Sequence, residues 1–190
     1  PFFSLYAHLG AAGVSVGEPI RAGEPLGKMG YTGAGINKER AHVHVELNMI
    51  LSDHFKRWYD RHFTTKNRHG IFNGFNLTGM DIAGLLIAHR ANPNLTLPEF
   101  LSSHTEVHYK VLIPKTGGLP FLRRYPFLAR DFDKVANPTS WEIAFAASGV
   151  PLEIRPSDRT LSSPIVTYVK PTTGNHSDLT VGRLTGTGDS

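Results

Sequence analysis

Cysteine is missing altogether from the 190 residues. That absence excludes a disulfide scaffold, a thiolate zinc site and a cysteine nucleophile, and it leaves the chain indifferent to redox compartment. No apolar run approaches the ~18–20 residues that cross a bilayer, so no transmembrane segment is expected. A basic recognition helix, zinc-finger spacing and an RNA-recognition signature are all lacking, and specific nucleic-acid binding is not expected. Charge of one sign is also scarce: Lys and Arg number 20 against 16 Asp and Glu, a net of +4. Such an excess fits a plain solvated surface, or a mild attraction to nucleic acid, anionic lipid or an anionic cell wall. The chain opens on Pro1-Phe2-Phe3, with neither an initiator Met nor a charged-then-apolar leader, and is expected to be processed or incomplete.

What is present is an ordinary globular balance, 40% hydrophobic and 19% charged, with ten histidines as the odd number. Residues 1–51 are rich in glycine and β-branched residues and carry turn signals every few positions. Phe2 to Leu9 reads as a strand, Gly13 to Gly17 as a short one, and Ala41 to Leu47 as a plain alternating one. This part is expected to be all-β, an antiparallel sheet with glycine-rich turns. Residues 52–69 read as an amphipathic helix and basic linker. Ser52 is its N-cap, Phe55, Trp58, Tyr59, His62 and Phe63 fall on one face, and Lys56, Arg57 and Arg61 decorate the other.

The style then changes, and residues 70–171 read as an α+β extension. Met80 to Arg90 is a helix, and Thr96-Leu97-Pro98-Glu99 has capping-box spacing for another. Val107 to Ile113 and Ile165 to Val169 are strands. Leu119 to Phe132 is one or two helical turns broken by Pro126, and Trp141 to Phe145 pairs with Leu152 to Arg155 across Ser148-Gly149. Residues 172–190 form a Gly/Thr/Ser-rich tail expected to be loose.

The chemistry-bearing residues lie in the first part. In His42-Val43-His44 the two imidazoles project to one side of a strand while Val43 turns toward a core. Two such rings suit a site in which one binds metal and the other meets substrate, although HxH also occurs as exposed strand histidines with no role. His8, in Tyr6-Ala7-His8-Leu9, is equally ambiguous alone. His104 and His108 stand four apart, but a strand from Val107 makes them surface residues.

Taken in order, Tyr6-Ala7-His8-Leu9, Val16-Gly17, Ile20, Gly23, Leu26-Gly27, Gly30, Thr32-Gly33 and His42-Val43-His44-Val45-Glu46 form a specific pattern. Over roughly residues 3–50 it resembles the C-terminal half of the catalytic domain of lysostaphin-like (LytM-type) zinc endopeptidases, which cut peptides of bacterial peptidoglycan. The resemblance implies that His44 is a zinc ligand and that His42 is a catalytic histidine orienting or deprotonating the attacking water. It implies that His8 stabilises the oxyanion or helps hold the water, with Glu46 as a partner for an imidazole N–H. It further implies Zn2+ as cofactor, a peptidoglycan peptide as substrate and a secreted, periplasmic or cell-envelope setting.

The family's other two zinc ligands, a His and an Asp four residues apart, come from a segment upstream of Tyr-x-His-Leu, and no His-x-x-x-Asp occurs downstream here. With one ligand where three are usual, this chain alone is expected to bind zinc poorly. Ala41 stands where the family commonly has proline, and Val43 and Val45 where it has Leu and Phe, which puts the groove's shape in question more than the fold. Two other readings remain. One is a degenerate module of this type that binds cell wall or activates another wall hydrolase. The other is a lipoyl- or biotinyl-like carrier with Lys28 near a hairpin. The basic, aromatic stretch His54 to His69 is a candidate contact for anionic wall polymer.

Overall fold

In the computed structural model, which describes residues 2–171, the chain forms three antiparallel sheets and four α-helices. Strand β1 (Phe2–Ala7) pairs along its whole length with β4 (His44–Ile50), and β5 (Leu77–Gly79) adds to the far end of β4. Strands β2 (Leu9–Ala12) and β3 (Gly27–Met29) make a separate two-stranded ribbon. The expected single strand from Phe2 to Leu9 is therefore broken at His8. Its left-handed backbone (φ 63°) turns the chain out of one sheet and into the next.

Several other expectations are corrected. Gly13 to Gly17 is no strand, and Val16 is fully exposed there, with no apolar partner to hold it. The first fifty residues also contain one 3-10 turn, Lys38–Arg40. The strand expected from Ala41 begins only at His44, and Val43, 39% exposed, does not face a core. Lys28 lies inside β3, opposite Ala11, and not at a hairpin tip. The glycines are nonetheless needed. A Cβ on Gly30 would sit 2.4 Å from the Gly10 nitrogen, so the ribbon closes only because position 30 has no side chain.

Beyond β4 come α1 (Phe55–His62), α2 (Ile82–Ala91) and α3 (Leu97–Ser102). Next follow β6 (Tyr109–Pro114), α4 (Pro120–Arg124), β7 (Ser140–Phe145), β8 (Pro151–Ser157) and β9 (Ile165–Val169). The last four strands form one antiparallel sheet in the order β8-β7-β6-β9. The β7–β8 hairpin and the Thr96–Glu99 capping box are as the sequence implies. The fold is thus a mainly β N-terminal part followed by a mixed C-terminal region. Helix α1 starts at Phe55 with His54 as N-cap, because the Ser52 hydroxyl accepts the His54 N–H instead of capping the helix itself. The expected loose tail lies outside the described residues.

The core belongs to the later part. Alternation in β6, β7 and β8 turns Ile113, Trp141, Ile143 and Ile154 to one face, where they meet Tyr125, Leu128 and Val150. Met49 of β4 is fully buried in this cluster, and Phe2 and Leu47 pack against it. The Tyr125 hydroxyl accepts the Ile50 N–H at 2.8 Å, and the Arg124 guanidinium donates to the carbonyls of Ile50 and Leu51 and to the Asp53 carboxylate. The strand that carries His44 is therefore tied by its far end to the C-terminal core. Among the described residues no helix is long and apolar enough to cross a membrane.

Candidate active site

Three histidines from two separate stretches meet at the N-terminal end of β4. The His8 ring lies 4.8 Å from that of His42 and 6.0 Å from that of His44, centroid to centroid. Ala7 opposes His44 in the β1–β4 ladder, so the residue that follows β1 is delivered beside the residue that opens β4. His42, although it precedes the strand, reaches the same place as His44.

Each ring is oriented by what its other nitrogen touches. His8 Nδ1–H donates to the Thr32 carbonyl at 2.5 Å, and His42 Nδ1–H donates to the Arg40 carbonyl at 2.7 Å. A carbonyl only accepts, so in the neutral ring the proton sits on Nδ1 and the lone pair on Nε2. His44 is turned the other way. Its Nε2–H donates to Glu46 Oε1 at 2.6 Å, which leaves the Nδ1 lone pair available. Gly33 (φ 133°) packs beside His8: a Cβ there would come within 3.1 Å of the ring nitrogen.

A hydrogen-bonded relay extends this arrangement from the exposed His44 inward. Glu46 Oε2 accepts an N–H of Asn48 at 2.8 Å, and Asn48 is itself buried. His44, Glu46 and Asn48 are alternate residues of one strand and share a face. The two donors hold the Glu46 carboxyl below the usual carboxylate range, the His44 bond first and the Asn48 bond second, against a lesser opposing effect of burial. Asn48 was not singled out from sequence, though the alternation that linked His44 to Glu46 reaches it in one more step. A shallow cavity of about 360 Å³ runs beside the relay, walled by Gly74, Gly79, Met80 and Ile82.

The donor set fits a zinc ion only in part. A histidine with one nitrogen free and the other on a carboxylate is the usual form of a metal-binding imidazole, and His44 has that form. Yet among the described residues no group of three or more His, Asp or Glu side chains is placed to hold a metal. These residues supply one candidate ligand, not a site. His104 and His108 are engaged locally, His104 with the Phe100 carbonyl and His108 with Glu106.

A family model described as Peptidase family M23 matches residues 1–55. No curated protein matches the chain. No solved structure matches it either. The matched segment contains His8, His42, His44 and Glu46 and ends at the first residue of α1; it is a short N-terminal part that resembles a peptidase family.

Proposed function

We propose that residues 2–50 are the histidine-bearing half of a zinc-dependent endopeptidase that hydrolyses peptide bonds of bacterial peptidoglycan. The zinc ligands other than His44 would come from outside residues 2–171. The observation that carries this reading is the convergence of the three rings, 4.8 and 6.0 Å apart, within the segment that resembles peptidases. In this reading His42 takes a proton from the attacking water through Nε2, its Nδ1 held by the Arg40 carbonyl. His8, when protonated, donates from Nε2 to the carbonyl oxygen as charge develops there. Glu46 and Asn48 fix the ring of His44. The setting is secreted, periplasmic or envelope, where the substrate is found.

The test is zinc analysis and hydrolysis of purified peptidoglycan by the full-length protein and three variants. His44→Ala should lose zinc and activity together. His8→Ala and His42→Ala should keep zinc and lose about 10²–10³ in rate, the usual cost of one such group. If His42→Ala strips the zinc instead, the roles within the pair are reversed. A second reading, a non-catalytic module that binds wall or activates another hydrolase, is favoured by the missing three-residue ligand group among the described residues. Full-length protein that holds no zinc and cleaves nothing, yet still binds wall, would decide for it.

A further inference from the structure

We infer that the α1 face and the loop after it form a binding surface for an anionic wall glycan, a polymer of sugar or polyol units joined by phosphate. This rests on the peptidoglycan reading above and names a second ligand, separate from the peptide that the histidines would cut.

The charge argument comes first. Between His54 and His69 there are five Lys or Arg residues against one Asp, a net of +4 that equals the net charge of the whole chain. The remainder of the sequence is neutral, so the basic character is local. Lys56 is neutralised within the helix by Asp60. Arg57, Arg61, Lys66 and Arg68 are all exposed, and among the described residues none of them enters an ion pair. Four cations left without carboxylates in so short a stretch attract a polyanion by charge complementarity.

Aromatic platforms lie among these cations. Trp58 is 43% and Phe75 54% exposed, and together with Phe55 and Asn76 they line a hollow of about 250 Å³. Each ring is backed on one side by another: Trp58 stacks on His62 at 4.8 Å, and Phe75 on Phe63 at 5.2 Å. A ring backed in this way stays in place while its other face is open, which suits stacking against the C–H face of a sugar. Arg61 falls one turn after Arg57 and three residues after Trp58, so cation and platform share one side of the helix.

The loop carrying Lys66 and Arg68 is pre-shaped. Asn67 donates to the Gly70 carbonyl and accepts from the His69 N–H and from Asn73. The Tyr59 and Thr65 hydroxyls are hydrogen-bonded at 3.0 Å. The backbone that presents these cations therefore loses little conformational freedom on binding.

The experiment measures binding of the full-length protein to soluble poly(glycerol phosphate), to a neutral dextran and to single-stranded DNA of equal charge. It also measures binding to wall sacculi before and after chemical removal of their phosphate polymer. Tight, salt-sensitive binding to poly(glycerol phosphate) and to intact sacculi is expected, with at least a tenfold loss on stripped sacculi and little binding to dextran. The quadruple Arg57→Gln, Arg61→Gln, Lys66→Gln, Arg68→Gln variant should lose tenfold or more and show a shallower salt dependence. Trp58→Ala should weaken binding severalfold at unchanged salt slope, with circular dichroism and melting as the check on folding. Hydrolysis of a short soluble wall peptide should be unchanged in both variants. The inference is overturned if stripped and intact sacculi bind alike, if the quadruple variant binds as wild type, or if DNA binds more tightly than poly(glycerol phosphate). Since the polymer arm contains no peptide, its failure is distinguishable from a failure of the peptidase reading.

Discussion

The part of the chain that carries the chemistry and the part that carries the stability are different stretches of sequence. From Phe2 to Leu47 no hydrophobic side chain is fully buried; the buried apolar set begins at Met49 and runs to Ile154. The histidine cluster is built from backbone pairing, glycine turns and carbonyl acceptors. The later region is built from interdigitated Trp, Leu, Ile and Tyr. Polar groups near water hold geometry without much net stability, whereas burial supplies the driving force. The histidine-bearing segment therefore depends for its shape on β4, whose far end is sunk in a core made by residues remote in sequence.

Truncating that core should have the largest effect. Ile154→Ala removes fully buried methyl and methylene groups and should cost about 2–5 kcal/mol. Amide exchange should then report loss of protection in β1 and β4 as well as in the sheet that contains Ile154. If β1 and β4 keep their protection, the two regions are independent and the comparison fails. Next in size is Tyr125→Phe. It leaves the Ile50 N–H without its acceptor and should cost about 1–3 kcal/mol, with faster exchange at Ile50 ahead of the rest of β4.

Gly30→Ala probes the other region. The new methyl group would collide with the Gly10 backbone, so β2–β3 should open while the melting transition of the C-terminal region stays within about 1 kcal/mol of wild type. Loss of amide protection at Gly30, whose N–H donates to the His8 carbonyl, would be the local signal. The smallest effect concerns pH. Glu99 is held below the usual carboxylate range by the Thr96 backbone N–H and then by its hydroxyl. A lowered folded value means that this capping interaction is fully present above the ordinary Glu value and is lost as pH falls through the lowered one. Exchange at the first turn of α3 should rise in that acidic window; Thr96→Ala, which keeps the backbone donor, should reduce the pH dependence only in part, and Glu99→Gln should abolish it.

Much of the C-terminal architecture was legible because its signals are local. The Thr96–Glu99 box, the stop at Pro126 and the alternation in β7 and β8 each act over a few residues. The three site histidines were legible only as a pattern, since what unites them is pairing between β1 and β4, which lie far apart in sequence. The break at His8 was hidden: no local rule makes a histidine adopt a positive φ, and the choice reflects the need to feed two sheets in succession. The expectation for Val43 fails because strict alternation is carried back to Ala41, three residues ahead of the true start of β4. The split of the aromatic stripe was also invisible. Phe55 and Tyr59 turn inward while Trp58 stays out, a division set by the later segment around Phe63 and Phe75 and not by helical period alone.

Strand β4 is a cantilever. Its root at Met49 is embedded, and its tip at His44, paired there with Ala7 of β1, projects about 17 Å away at the usual rise per residue. A beam of this kind keeps its tip in place while the wall around the root is sound, and drops it when the wall gives way. Heat inactivation of any chemistry at the tip should then follow the melting of a core centred on the other end of the strand.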